Sequence, residues 1–259
     1  IGDTIVEGVG EGTDTIVTTL GSFRLSTNVE NLTASASPAF VGVGNALDNV
    51  ITGGALADTL TGLDGNDTLR GGTGSANTLI GGNGNDLYVV EAAGDTIIEL
   101  SGGGTDAVET ARTVFTLAAQ IENLIFTGNG NNTGIGNAVA NAMNGGAGND
   151  FLAGLGGDDI LTGGDGYDLF RFSETGNDTI TDFVTRVDKI LLSNAVFSHT
   201  ATVDFVLGTA ATGTNSAILY DQATGALAFD ADGTGAGAAV SIANLGAATI
   251  LAANDVVFY

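Results

Sequence analysis

Aspartate recurs in this chain behind glycines, at a step of nine residues that is once stretched to ten. Asp58, Asp67 and Asp86 stand in one block, Asp150, Asp159 and Asp168 in a second. The units are GGALADTLT at 53–61, GLDGNDTLR at 62–70, the lengthened GGTGSANTLI at 71–80 and GGNGNDLYV at 81–89, then GGAGNDFLA from 145, GLGGDDILT from 154 and GGDGYDLFR from 163. Each follows G-G-x-G-x-D-x-U-x, where U is a large apolar residue. Asn77 takes the aspartate position in the lengthened unit, and degenerate units from 44 and 136 place Asn49 and Asn141 there. Carboxylates and carbonyls are hard oxygen donors, and together they can hold a cation such as Ca2+. Zinc is disfavoured, because there is no Cys and a single His.

The elements that must position these groups follow from the same spacing. Glycines permit backbone angles that a Cβ would oppose, so the first six residues of each unit are expected to turn and the last three to form a short strand. The apolar position falls at Ile51, Leu60, Leu69, Leu79 and Tyr88, then at Met143, Leu152, Leu161 and Phe170. Neither a helix nor one long strand generates that period. A coil of strand, turn, strand, turn does, with two units to a revolution.

Equivalent turns would then stack at the strand spacing of about 4.7–4.9 Å. Two carboxylates so placed repel by roughly 3–4 kcal/mol at an effective dielectric of about 20, which disfavours the coil without a cation. Oxygens on opposite sides of Ca2+ are about 4.6–5.2 Å apart, whereas Mg2+ would have to draw the turns together. One ladder would run through Asn49, Asp67 and Asp86 and the opposite edge through Asp58 and Asn77. In the second block Asn141 faces Asp159 and Asp150 faces Asp168.

These units resemble the repeats-in-toxin (RTX) nonapeptide, a calcium-binding β-helix repeat. The resemblance implies an all-β parallel β-roll in which each ion is held by the aspartate and by carbonyls of the first and third turn residues. Carried onto this chain, the implied carbonyl donors are Gly53 and Ala55, Gly62 and Asp64, Gly71 and Thr73, and Gly81 and Asn83. In the second block they are Gly145 and Ala147, Gly154 and Gly156, and Gly163 and Asp165. Leu56 replaces the fourth glycine of its unit, and Leu63 and Leu155 replace the second, so sites using those turns are expected to be weaker.

Composition narrows the function class. The chain holds 30 Asp and Glu against 6 Lys and Arg, a net charge of -24, which repels nucleic acid and anionic lipid alike. Yet 43% of residues are hydrophobic, too many for a disordered acidic tail. Its 42 glycines lack collagen's three-residue period. No apolar run reaches the roughly 18–20 residues of a membrane helix, so membrane insertion is not expected.

A longer repeat lies over the short one. At an offset of 92, Asp3-Thr4-Ile5 matches Asp95-Thr96-Ile97, Asp14 matches Asp106, and Glu30-Asn31-Leu32 matches Glu122-Asn123-Leu124. The expected organisation is a β-rich spacer at 1–43, a first calcium roll at 44–91, a second spacer at 92–135, a second roll at 136–172 and, as the resemblance to the RTX family implies, a C-terminal cap with a type I secretion domain at 173–259. The spacers, with strand-like runs such as Asp3 to Val6, would extend the sheet. Asp14 and Asp106 there are candidates to meet an ion at the joins, although solvated strand-edge acids are the default reading. Asp178, with Asp182 and Asp188, is a candidate for one more ion, although surface strand carboxylates are the plainer reading.

The stretch 217–240 reads as a hairpin turning after Tyr220-Asp221 and returning through Leu227-Ala228-Phe229. Asp230-Ala231-Asp232-Gly233 imitates an EF-hand opening but has Ser241 where the twelfth-position Glu belongs, so it reads as an acidic turn. Asn254 to Tyr259 resembles the family's export signals, and a buried last strand is the alternative.

No G-x-S-x-G, H-E-x-x-H or Cys nucleophile is present, and His199 stands alone, so catalysis is not expected within these residues. Two functions stay open. One is the C-terminal part of a cell-surface scaffold, a surface layer or adhesin, with self-assembly or a surface polysaccharide as partner. The other is the secretion and folding module of an exported protease, lipase or epimerase. A free calcium buffer fits less well, because the sites look coupled to folding. In both, the resemblance implies export through type I secretion machinery and folding on extracellular Ca2+.

Overall fold

The computed structural model describes residues 5–35, 39–199 and 202–259; Asp3 and Thr4 of the first strand-like run lie outside the described residues. Among these residues there is no α-helix, and the chain is a parallel β-solenoid, as the nine-residue period requires. It divides into two compact units: Ile1–Arg112 with Ala118–Asn123, and Thr113–Leu117 with Leu124–Tyr259. The division therefore falls inside the expected second spacer.

In the first unit one sheet places Thr15–Thr18, Asn31–Ala34, Val50–Thr52, Thr68–Arg70, Leu87–Val90 and Ala107–Thr110 side by side. The facing sheet holds Ser22–Arg24, Val41–Val43, Thr59–Asp64, Thr78–Asn83 and Thr96–Ile98, paired in parallel. Val50 pairs with Thr68, a step of 18 residues; Thr59 pairs with Thr78, a step of 19, because the ten-residue unit intervenes. The apolar positions consequently stack into columns. Ile51, Leu69, Tyr88 and Val108 lie on successive coils, all fully buried. At roughly 1.5–3 kcal/mol for each buried side chain, these columns hold the coil together.

The second unit repeats the plan. Ala142–Ala147, Ile160–Asp165 and Asp178–Ile180 pair in parallel in one sheet, and Thr133–Ile135, Phe151–Ala153, Leu169–Phe172 and Lys189–Leu192 in the other. Beyond them Val240–Asn244, Ala226–Asp230 and Ala217–Asp221 turn antiparallel, and the last two form the expected hairpin. The final strand, Val256–Phe258, pairs with Lys189–Leu192, and buried Asp255 makes a 2.9 Å ion pair with Lys189. The C-terminus is thus built into the sheet.

The strands differ from expectation in one respect. On alternate edges they run six residues, as in Thr59–Asp64, and cross the unit boundary, so Leu63 pairs with Gly82 and Asp64 with Asn83. The first three residues stay extended there because they still find backbone partners on the next coil, which confines the turn to the three that follow. Leu63 and Leu155 nevertheless adopt the left-handed angle of the glycine they replace, at φ 94° and 70°.

Candidate metal centres

Stacked turns are joined by a recurring side-chain bond at the sixth position. Oδ1 of the sixth residue accepts the backbone N–H of its counterpart one coil earlier. Along one edge the Asn49 N–H donates to Asp67 at 2.7 Å, the Asp67 N–H to Asp86 at 2.8 Å and the Asp86 N–H to Asp106 at 2.8 Å. On the opposite edge the Asp58 N–H donates to Asn77 and the Asn77 N–H to Asp95. In the second unit the bonds join Asn132, Asp150, Asp168 and Asp188 on one edge, and Asn141, Asp159 and Asp178 on the other. The ladders expected from the spacing are thereby assembled, all their expected members are buried, and they run further than expected.

The second oxygen decides what these ladders can do. Oδ2 of Asp67, Asp86, Asp106, Asp150 and Asp159 is buried and has no hydrogen-bond partner. In the repeat units of Asp67, Asp86, Asp150 and Asp159 it lies over the first glycine: a Cβ on Gly62 would overlap Oδ2 of Asp67 and sit 2.8 Å from the carbonyl oxygen of Gly81. Gly145 relates in the same way to Asp150 and the carbonyl of Gly163. A buried charge without a partner is strongly disfavoured, and a carboxylate and carbonyl converging on a glycine-lined space suit an oxygen-liganded cation. The residues therefore fit Ca2+. This close approach, more than backbone freedom, is why the first position is glycine.

Comparison with known proteins supports that assignment. A family model for the RTX calcium-binding nonapeptide repeat matches in four copies, over residues 43–75, 73–97 and 135–170. The chain carries RTX calcium-binding repeats. It is 40% identical over 90 residues to endo-1,3-1,4-beta-glycanase ExsH of Rhizobium meliloti (strain 1021), which takes in 35% of this chain and 19% of that protein. It also aligns with the crystal structure of the extracellular lipase LipA from Serratia marcescens, with 19% identity, a TM-score of 0.23, and coverage of 92% of this chain and 42% of the lipase. The chain spans less than half the length of either.

Within the RTX turns the implied ligand positions separate. First positions Gly53, Gly62, Gly71, Gly81, Gly145, Gly154 and Gly163 are buried with the ladder; third positions Ala55, Asp64, Thr73, Asn83 and Asp165 are exposed, and Ala147 and Gly156 half-buried. The carbonyls of Asn83 and Asp165 accept the N–H groups of Gly65 and Gly148. Asp58 differs from its relatives, because its Oδ2 accepts the Gly54 N–H at 2.6 Å. The Asn49, Asn77 and Asn141 amides donate to protein oxygens, and at the same ladder position Asn132 Nδ2 donates to the Gly145 carbonyl at 2.8 Å. Asparagine satisfies in neutral form the place where aspartate leaves a bare oxygen.

Electrostatics follow the same division. Burial pushes Asp67 up to about 7, offset in part by the Asn49 N–H, with Asp86, Asp48 and Asp64 adding repulsion. Burial likewise takes Asp86 and Asp159 to about 7, and Asp106, Asp168 and Asp178 to about 6.

Three readings of the acids need correction. Asp106 is buried, and Asp14 has a buried Oδ2 without a partner, so neither is a solvated edge acid. Asp178 and Asp188 are ladder members, not surface strand carboxylates, because the coil continues through them. The signal was present: Gly176-Asn177-Asp178-Thr179-Ile180 repeats the unit ending Gly65-Asn66-Asp67-Thr68-Leu69. An outer ladder at the fifth position went unforeseen, in which Asp48, Asn66 and Asn85 accept N–H groups from the following coil.

Proposed function

We propose that this chain is a calcium-folded segment of an exported protein, acting as a scaffold at the cell surface. The observation that carries the reading is the set of buried Oδ2 atoms without partners above the first glycines. Asp67, Asp86, Asp150 and Asp159, with first-position carbonyls such as those of Gly81 and Gly163, would hold the ions. Bound Ca2+ supplies the positive charge that these carboxylates lack. The protein's own part is to bury the apolar columns, to align Oδ1 along the ladder and to exclude water from Oδ2. Rolls at 44–91 and 136–172, spacers at 1–43 and 92–135 and a cap carrying a type I secretion signal at 173–259 remain the proposed division of labour. Passage through type I secretion machinery in low cytosolic Ca2+ would be followed by ordering outside the cell, with self-assembly or a surface polysaccharide as the eventual partner.

The likeness to the glycanase favours a second reading, in which the same coil serves as the folding and export module of an exported enzyme whose catalytic residues lie elsewhere. Limited proteolysis tests what the two readings share. Resistance in millimolar Ca2+ and rapid cleavage in EDTA is the expected result; equal resistance in both would overturn it. Electron microscopy of the Ca2+-loaded protein with isolated cell envelopes then separates the readings, since a scaffold assembles on them and a folding module does not.

A further inference from the structure

One acidic group beside the ladder belongs to no nonapeptide unit. Glu99 follows the strand Thr96–Ile98, and the pairing of Ile98 with Ile80 sets it one coil beyond Gly81, where the next unit would have its first glycine. In place of a glycine, the chain presents a carboxylate. Ligand oxygens of Glu99, Asp86 and Asp106 lie within 4.8 Å of one another.

We propose that Asp86, Asp106 and Glu99 form a separate calcium site, with the Tyr88 phenol at its wall. The proposal rests on the calcium reading of the ladder only through Asp86. Asp86 and Asp106 are 2% and 1% exposed, and the Oδ2 of each has no hydrogen-bond partner. Among the described residues the ion pairs are Arg70 with Glu91 and Lys189 with Asp255, so no cationic side chain balances the three acids.

Glu99 is held in place. The fully buried Tyr88 donates its hydroxyl proton to Oε2, and the Leu100 N–H donates to Oε1 at 2.8 Å. Gly81 leaves the room: a Cβ there would overlap both Oδ2 of Asp86 and the Tyr88 hydroxyl. Three carboxylate oxygens all within 4.8 Å of one another can share one ion, since opposite ligands of Ca2+ stand roughly 4.6–5.2 Å apart. The pair is also a feature of the long module, since Glu7 and Asp14 stand 92 residues earlier and Asp14 Oδ2 is likewise buried without a partner.

Tyr88 makes the site observable. The chain has no Trp and four Tyr, so terbium bound as a calcium surrogate beside this ring would emit on tyrosine excitation. The test compares the full chain with Glu99→Gln and Tyr88→Phe, combining equilibrium dialysis of Ca2+, terbium emission and circular dichroism. Glu99→Gln, which keeps an acceptor for Tyr88, should bind one ion fewer and lose the share of the emission that Tyr88 sensitises. Tyr88→Phe should lose that emission while keeping its ion count. An unchanged ion count and emission in Glu99→Gln would overturn the site and leave the repeat sites standing. A wild-type chain that binds no Ca2+ would sink both. Should Glu99→Gln fail to fold, Tyr88→Phe decides alone, and undiminished emission there refutes the site.

Discussion

Replacing Asp67 with asparagine should move stability in opposite directions with and without calcium. Asp67 is 1% exposed; its Oδ1 accepts the Asn49 N–H at 2.7 Å and its Oδ2 has no partner. In Asp67→Asn the first bond survives, and the new NH2 faces the Gly81 carbonyl as Asn132 faces that of Gly145. The rise of the carboxyl from 3.8 to about 7 corresponds to roughly 4 kcal/mol of destabilisation of the metal-free fold above neutral pH, which the variant escapes. With calcium the variant lacks one charged ligand, and a loss of at least about tenfold in affinity, about 1.4 kcal/mol, is expected at that site. Urea denaturation at pH 7.5 reads both effects, with sulfate added to bring the metal-free transition into range. The midpoint should lie above wild type in EDTA and below it in Ca2+. A variant weaker than wild type under both conditions would refute the reasoning, because the charge of Asp67 would then stabilise the fold even without an ion.

The metal-free protein should gain order as pH falls. Its raised aspartates bind more protons folded than unfolded, so the stability present below about pH 4 is lost as pH rises through 6 to 7; β signal that increased with pH in metal-free buffer would contradict this. Gly62→Ala drives a Cβ into Oδ2 of Asp67 and should weaken Ca2+ binding by calorimetry, whereas Gly130→Ala, whose nearest contact is 3.6 Å away, should not. Asp58→Asn should leave Ca2+ stoichiometry unchanged by dialysis, since both Asp58 oxygens already accept backbone N–H groups. Lys189→Met strands buried Asp255 and should cost about 3–5 kcal/mol in chemical denaturation of the Ca2+-loaded protein; a loss under 1 kcal/mol would show that the pair does not anchor the last strand.

Much of the coil was legible because one nine-residue pattern specifies turn, strand and column together. The column from Ile51 to Tyr88 and the facing of Asp67 with Asp86 follow from arithmetic on the spacing alone. What escaped depends on partners rather than periods. Whether Asp58 keeps a bare oxygen is decided by the Gly54 N–H, and nothing in GGALAD distinguishes it from GLDGND on that point. The Glu-Asn-Leu signature was visible as a repeat but not its role: Glu30 and Glu122 accept the N–H groups of Asp14 and Asp106, extending the ladder with a longer side chain. Glu99 was hidden because it lies outside the unit, and the fold alone brings it to Asp86.

The most direct test of ion-coupled folding is far-ultraviolet circular dichroism during Ca2+ titration of stripped protein, with Mg2+ as the control. A cooperative gain of β signal with Ca2+ and none with Mg2+ is the predicted result. A stripped protein already fully folded and unmoved by Ca2+ would contradict the account.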